Sequence, residues 1–375
     1  MKTAIVHDWL TGMRGGEKVL DLLCEILPSS DLYTMIYVPG KLTPRIEQRR
    51  IVTSWLNRLP LSGRFYRYLL PLMPSAASRL KLEGYDLVVA VSHCVAHGVS
   101  VSSGTRFVCY SLTPMRYIWD TQGELFHGRR ADFRYRLLRG FSKRFRRWDV
   151  EASARVGEYV TISRAVQQRV KQCYGRESVV IHPPVDTEFY HPVPSASAHG
   201  EYYLWAGALA PYKRIDIVLE AFAKLGRKLV VIGDGQDIAW ARRHATDNVT
   251  FLGWQPDDVL REYYSGCRAL VFPGEEDFGI VPLEVQACGC PVIACGKGGV
   301  LDTVAPLGGA AGVKPTGVFF DGPSAGQLVD AVRRFEVNER QFDSAAIRSH
   351  ALAFSRERCR EALSELLTSR SDASS

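Results

Sequence analysis

The chain opens on a short apolar run at residues 3–6, breaks at a polar loop holding Gly12, Gly15 and Gly16, and resumes apolar positions at helical spacing over 17–27. Strand, glycine loop and helix are the expected local order. Further apolar runs at 86–91, 107–110 and 159–162 have the length of buried strands, and the segments between them carry helical spacing. Strands alternating with helices predict a parallel sheet with right-handed crossovers.

Residues 192–200 interrupt this pattern with proline and small polar residues and read as a linker. The pattern then restarts: a strand at 202–206, a helix at 215–225, a strand at 228–232, a Gly233-Asp234-Gly235 loop, and a helix at 238–244. Strands at 249–251, 269–272 and 291–294 continue it, and a last helix is expected over 356–367 before a disordered tail at 369–375. A chain of 375 residues suits two domains better than one. The fold class expected is α/β, with Rossmann-like domains at 1–190 and 198–350 and a closing segment at 351–375. Each sheet should offer a crevice at the carboxyl ends of its strands.

Charge changes this picture in one place. The net charge is +7, but nine Arg or Lys residues and one acid, Asp132, fall between Arg129 and Arg147. Phe133, Leu137, Leu138, Phe141, Phe145 and Trp148 recur there at three- and four-residue steps, so the segment reads as a basic amphipathic helix. Two readings stay open: a surface helix with its stripe in the core, or docking on an anionic membrane. Nucleic-acid binding has no accompanying motif. No run reaches the length of a membrane span, and the start is too short for a signal peptide, so a cytoplasmic protein is expected.

Nine cysteines without a Cys-x2-Cys pair speak against a disulfide framework or structural zinc. Cys288, Cys290 and Cys295 read as small buried residues around a helix-to-strand turn, with metal or redox chemistry as the other reading. Neither glycine loop completes G-x-G-x-x-G, which removes support for a dinucleotide dehydrogenase. These glycines serve either turns or the close approach of backbone to a ligand, where a helix N-terminus favours phosphate.

Candidate chemistry concentrates between Phe272 and Ala294. A strand end is followed by Glu275, Glu276 and Asp277, with Pro282 expected at the start of a helix and Glu284 in its first turn. The acids are either a solvated turn or acceptors for sugar hydroxyls, with Glu276 on a hexose and Glu284 on a ribose diol. The amides of Gly279, Ile280 and Val281 would then face phosphates or hexose.

The Glu276-x7-Glu284 spacing resembles the signature of the retaining GT-B glycosyltransferases of family 4. His7-Asp-Trp-Leu-Thr-Gly-Met-Arg-Gly-Gly-Glu17, Tyr110-Ser-Leu-Thr-Pro-Met-Arg-Tyr117, His182-Pro-Pro-Val-Asp186 and Pro211-Tyr-Lys-Arg-Ile-Asp216 resemble a bacterial subgroup of O-antigen and exopolysaccharide mannosyltransferases. The resemblance runs from residue 1 to about residue 365. It implies two Rossmann-like domains facing each other across a cleft, with the last helix packing back on the first. It also implies retaining, metal-independent transfer of a hexose from a nucleotide-diphosphate sugar, GDP-mannose before UDP-sugars, to a lipid-linked or polysaccharide acceptor. No cofactor is implied, and the basic segment 129–147 would place the protein peripherally on the inner face of the plasma membrane.

Carried over by position, Lys213 would stabilise the departing diphosphate, Glu276 would hold the transferred sugar, and Arg214 would supply further charge. Gly15 and Gly16 would close over the donor phosphates, while Gly207, Gly279, Ile280, Val281 and Glu284 would bind donor. Two departures stand out: Leu112 where relatives carry a histidine, and Ala208 where many carry an arginine. With Leu112 in place, His7, His93 or His97 would have to supply an imidazole. The departures also allow an alternative, a non-catalytic nucleotide-sugar-binding subunit; an epimerase would need no acceptor.

Overall fold

The computed structural model describes residues 1–119, 133–193, 200–322 and 324–369. The chain forms two compact α/β units, the first running to Pro184 and again from Cys359, the second over Val185–Arg358. The division at 184 falls short of the expected 190 for a physical reason. Arg348 donates to the carbonyls of Thr187, Tyr190 and Ala287, and Val185 pairs with Ser355, so residues 185–190 are fastened to the second unit.

The first unit is built on a seven-stranded parallel sheet. Its strands are β1 (Thr3–His7), β2 (Asp31–Thr34), β3 (Ile51–Thr53), β4 (Leu87–Ser92), β5 (Arg106–Ser111), β6 (Glu158–Thr161) and β7 (Val179–Val180). Their order across the sheet is β3-β2-β1-β4-β5-β6-β7. A separate two-stranded ribbon joins Lys81–Leu82 to Ser100–Val101. The central strand β4, Leu-Val-Val-Ala-Val-Ser, is buried at every position, as expected for a strand covered by helices on both faces.

Sequence pattern finds β1, β4, β5 and β6 but not β2, β3 or β7. These run four, three and two residues and are too short to show a period. The last helix, Arg356–Thr368, joins the first unit from Cys359 onward. There Arg106, whose guanidinium holds Glu158 at 2.6 and 2.9 Å, also donates to the carbonyls of Leu366, Leu367 and Ser369.

The second unit repeats the design with six parallel strands: β8 (Tyr202–Ala206), β9 (Lys228–Ile232), β10 (Val249–Gly253), β11 (Leu270–Phe272), β12 (Val292–Cys295) and β13 (Gly317–Phe320). The order is β10-β9-β8-β11-β12-β13. Tyr203, Trp205, Phe222, Leu229, Val271 and Phe335 form its core on the side of helix Ile215–Leu225. In each sheet the strand order reverses direction beside the first strand, between β1 and β4 and between β8 and β11. In open α/β sheets, ligands bind outside the carboxyl ends of the strands at such a reversal.

Candidate active site

In the second unit, the chain leaves β8 at Ala206 through Gly207 and reaches Lys213 at the end of a short turn, Pro211–Lys213. It leaves β11 at Phe272 through Pro273 and Gly274. These two exits flank the reversal point. Gly274 lets them meet, because a Cβ there would lie 2.9 Å from the Tyr212 carbonyl oxygen and 3.3 Å from Lys213 Cα. The Lys213 ammonium consequently rests on the Glu276 carboxylate, with both side chains largely withdrawn from solvent.

Lys213 also lies over the Tyr212 and Phe272 rings, 5.9 and 5.8 Å from their centroids. Burial works against its charge, but Glu276 outweighs that and holds the lysine above its ordinary value. Gly207 borders the same group: a Cβ on it would lie 3.6 Å from Lys213 Nζ. Lys213, Glu276 and Gly207, picked out separately along the sequence, therefore lie side by side at this point of the sheet.

Helix Ile280–Ala287 follows, capped by Gly279 in the left-handed region at φ 90°. The helix begins two residues before Pro282, which occupies its third position, where a missing N–H costs nothing. Glu284 accordingly sits in the second turn rather than the first, and it is buried at 5% exposure. As the first helical residues, Ile280 and Val281 present amides without acceptors in the helix itself, next to the dipole's positive end.

Arg214 stands in the left-handed conformation at φ 52° and starts helix Ile215–Leu225. Its guanidinium is turned to Asp216, with hydrogen bonds of 3.0 to 3.3 Å. The Gly233-Asp-Gly235 loop serves backbone packing. A Cβ on Gly233 would fall 1.8 Å from the Gly207 carbonyl oxygen, and one on Gly235 would fall 2.4 Å from that of Leu209. The two glycines thus let one loop shape the other.

In the first unit, the corresponding reversal point carries a second polar cluster that sequence reading did not assemble. Asp8 directly follows β1 and is fully buried. Its carboxylate accepts the backbone amides of His93, Cys94, Val95 and Ala96 at 2.6 to 3.1 Å, fixing the turn that follows β4. His93 Nδ1 lies 2.8 Å from the same carboxylate. Burial opposes the Asp8 charge, yet His93 and His7 hold the carboxyl well below its ordinary range. The available signal was position: a charged residue set immediately after a buried strand at the reversal of the sheet.

Gly15 and Gly16 belong to the helix Gly15–Ile26 rather than to the loop before it, and of the three loop glycines only Gly12 has a positive φ. Gly16 is small for a reason: a Cβ there would lie 2.7 Å from Leu112 Cδ1 and 3.4 Å from His7 Cε1. Glu17 accepts the Arg14 amide and approaches His7 Nε2 at 3.7 Å. Of the three histidines weighed as substitutes for Leu112, His7 and His97 are buried, at 0% and 3% exposure, whereas the His93 side chain retains 27%.

The basic segment 129–147 falls partly outside the described residues, which resume at 133. The helix Phe133–Ser153 is present, and its described end turns Phe145 inward, with Trp148 packed on Gly98 and donating to Ser78, while Lys143, Arg144 and Arg147 face solvent. The expected linker also falls largely outside, at 194–199, as does the tail from residue 370. Cys288 and Cys290 are buried at the turn from Ile280–Ala287 into β12, whereas Cys295 is buried at the far end of that strand.

Comparison with known proteins accounts for both units. Residues 13–189 match the family described as Glycosyltransferase Family 4, and residues 186–350 match Glycosyl transferases group 1. This chain belongs to the GT-B glycosyltransferases of group 1 and family 4. Among curated members, the D-inositol 3-phosphate glycosyltransferase of Mycolicibacterium smegmatis is 32% identical over 196 residues, 47% of this chain and 44% of that protein. The matched stretch therefore spans less than half the length of that relative.

Solved glycosyltransferase structures share the fold across nearly the whole chain. Anabaena HepE in complex with UDP superimposes with a TM-score of 0.71 at 19% identity, covering 99% of this chain and 100% of that one. Sucrose-phosphate synthase from Thermosynechococcus elongatus gives 0.73 at 18% identity, covering 98% of each.

Proposed function

We propose that the protein is a retaining glycosyltransferase that takes a hexose from a nucleotide-diphosphate sugar held by the second unit. The observation carrying this reading is the Lys213–Glu276 pair at the reversal point of the second sheet, beside Gly207 and within a unit that also presents the Ile280 and Val281 amides. Lys213 is a fixed cation for the charge that develops on a departing diphosphate, and preorganised charge of this kind is the largest single contribution in such chemistry. Loop and helix amides supply further donors, so phosphate neutralisation by Lys213 needs no metal. Glu276, as an acceptor-only carboxylate, binds sugar hydroxyls once Lys213 turns to phosphate. Glu284 binds the ribose diol, and Arg214 adds charge if it leaves Asp216.

Two donors compete in this reading. The motif resemblance favours GDP-mannose, while the similar fold of HepE was solved with UDP. For the acceptor, a lipid-linked or polysaccharide chain at an anionic membrane surface is supported by a second stretch of the first unit. Leu61, Phe65, Tyr68 and Leu72 are exposed there among exposed Arg58, Arg64 and Arg67, a mixed apolar and basic surface. Among the described residues no helix is long and apolar enough to cross a membrane.

The deciding experiment is nucleotide release from a panel of GDP- and UDP-sugars by the purified protein, with and without lipid-linked acceptors. Release with one donor, abolished in Glu276→Ala, supports the reading. Saturable donor binding without release under any acceptor would favour the non-catalytic subunit suggested by Leu112 and Ala208.

A further inference from the structure

We infer that Trp254 is the residue on which the base of the donor stacks, and that its two-ring face makes the second unit select a purine over a pyrimidine nucleotide. The inference rests on the nucleotide-sugar reading for the identity of the ligand, and on this structure for the site.

Three observations carry it. First, Trp254 is 74% exposed, whereas the six other tryptophans are buried or half-buried. Gln255 donates to the Leu252 carbonyl at 2.8 Å and Pro256 leads into helix Asp257–Gly266, so the turn that carries Trp254 is closed. An indole held in solvent by a closed turn is a platform for a flat ligand. Second, it stands at the same end of the sheet as Lys213. Ala206, Ile232 and Gly253 are register partners across β8, β9 and β10, and Gly207, Gly233 and Trp254 each follow directly on that row. The Gly207 amide donates to Ile232 at 3.0 Å and the Gly233 amide to Gly253 at 2.7 Å, which joins the three strand ends into one edge.

Third, Gly207, Gly233 and Gly253 leave that edge as bare backbone, with Lys213 beside Gly207 at one end and Trp254 at the other. A methyl on Gly253 would meet no protein atom within 4 Å, so the space over that residue is open. Two strand spacings, about 10 Å, separate the ends of β8 and β10, which matches the span of a nucleoside diphosphate from outer phosphate to base. Charge sets its direction. Lys213 attracts the phosphates, while Asp257 and Asp258, in the first turn of the next helix, repel them from the Trp254 end. The base then lies on the indole, where a purine overlaps more of the two-ring face than a pyrimidine does. Of the two competing donors, this favours the GDP-sugar.

The test is calorimetric binding of GDP, UDP and inorganic pyrophosphate to the full chain, for wild type, Trp254→Ala and Trp254→Phe, with a melting curve of each. Expected are tighter binding of GDP than of UDP by wild type, a loss of about tenfold for GDP in Trp254→Ala, and a smaller loss for UDP. Trp254→Phe keeps one ring and should recover part of the GDP affinity. Pyrophosphate has no base and should bind all three alike. The melting temperature should not move, because so exposed a side chain adds little packing. Equal GDP affinities in wild type and Trp254→Ala, a parallel loss for pyrophosphate, or UDP bound by wild type as tightly as GDP would overturn the inference and leave the nucleotide-sugar reading standing. Binding of neither nucleotide by wild type would overturn both.

Discussion

The Lys213 ammonium and the Glu276 carboxylate satisfy each other across two loops that leave neighbouring strands of the second sheet. The pair has a consequence for binding: a diphosphate that recruits Lys213 must compete with Glu276, and it frees that carboxylate as it does so. Exchange of partners keeps both groups engaged before and after binding, which limits the cost of burying either one.

Removing either partner should therefore damage chemistry and stability together. Lys213→Ala is expected to lower turnover about 10² to 10³-fold, the scale of one preorganised donor at developing charge. It should also cost about 1–3 kcal/mol of stability, because Glu276 keeps its burial without a partner. Glu276→Ala should abolish transfer. Melting curves and single-turnover release on the two single variants and the double variant check this: the double variant should be less destabilised than the sum of the singles.

Gly16 is confined by Leu112, so Gly16→Ala should be destabilising although alanine is the better helix former. The incoming methyl meets Leu112 Cδ1 at 2.7 Å, an overpacking expected to cost about 1–3 kcal/mol. Adding Leu112→Ala should recover part of that loss. Denaturant midpoints of the three variants decide it, and a double variant no more stable than Gly16→Ala would show the contact to be irrelevant.

Two left-handed glycines of the second unit should separate strain from close approach. Gly226 has φ 64° and nothing within 4 Å of where a methyl would sit, so Gly226→Ala should cost only about 1 kcal/mol. Gly233→Ala places its methyl on the Gly207 carbonyl oxygen and should displace the Gly207 to Leu209 loop. The expected result is a much larger fall in melting temperature for Gly233→Ala, with loss of donor binding.

The first unit should show a stability optimum in mildly acid solution. Asp8 and Glu17, with ordinary values of 3.8 and 4.5, are buried but held lower by their histidine neighbours. Their contribution is present above those values and lost as pH falls toward the folded ones. His7 has an ordinary value of 6.5; burial opposes its charge, but Glu17 and Asp8 raise it, so its contribution is complete below 6.5 and lost as pH rises through the folded value. Thermal melts across this range should peak between the two limbs, and Glu17→Gln should flatten the alkaline one. Wild-type and variant profiles that coincide above 6.5 would refute the assignment.

Much of the second unit was legible in the residues alone. The strands Tyr202–Ala206 and Lys228–Ile232 and the helices Ile215–Leu225 and Ile238–His244 coincide with the spans read from apolar spacing. Each carries its own signal, a buried run or a 3.6-residue period ended by glycine or a polar turn. Short strands such as Ile51–Thr53 carry none, since three residues cannot display a period and their place is set by the neighbouring strand β2.

Residue types and local order thus determined two α/β units and the stretch holding the acids. Tertiary structure alone decided which groups meet. Glu276 and Lys213 are far apart in sequence, as are Asp8 and His93, and each pair forms because sheet order sets two non-consecutive strands side by side. The same holds for Gly16, Gly233 and Gly235, whose neighbours arrive from other loops. Spacing along a chain records the period of one element, whereas contact between elements depends on crossovers whose geometry no local pattern contains.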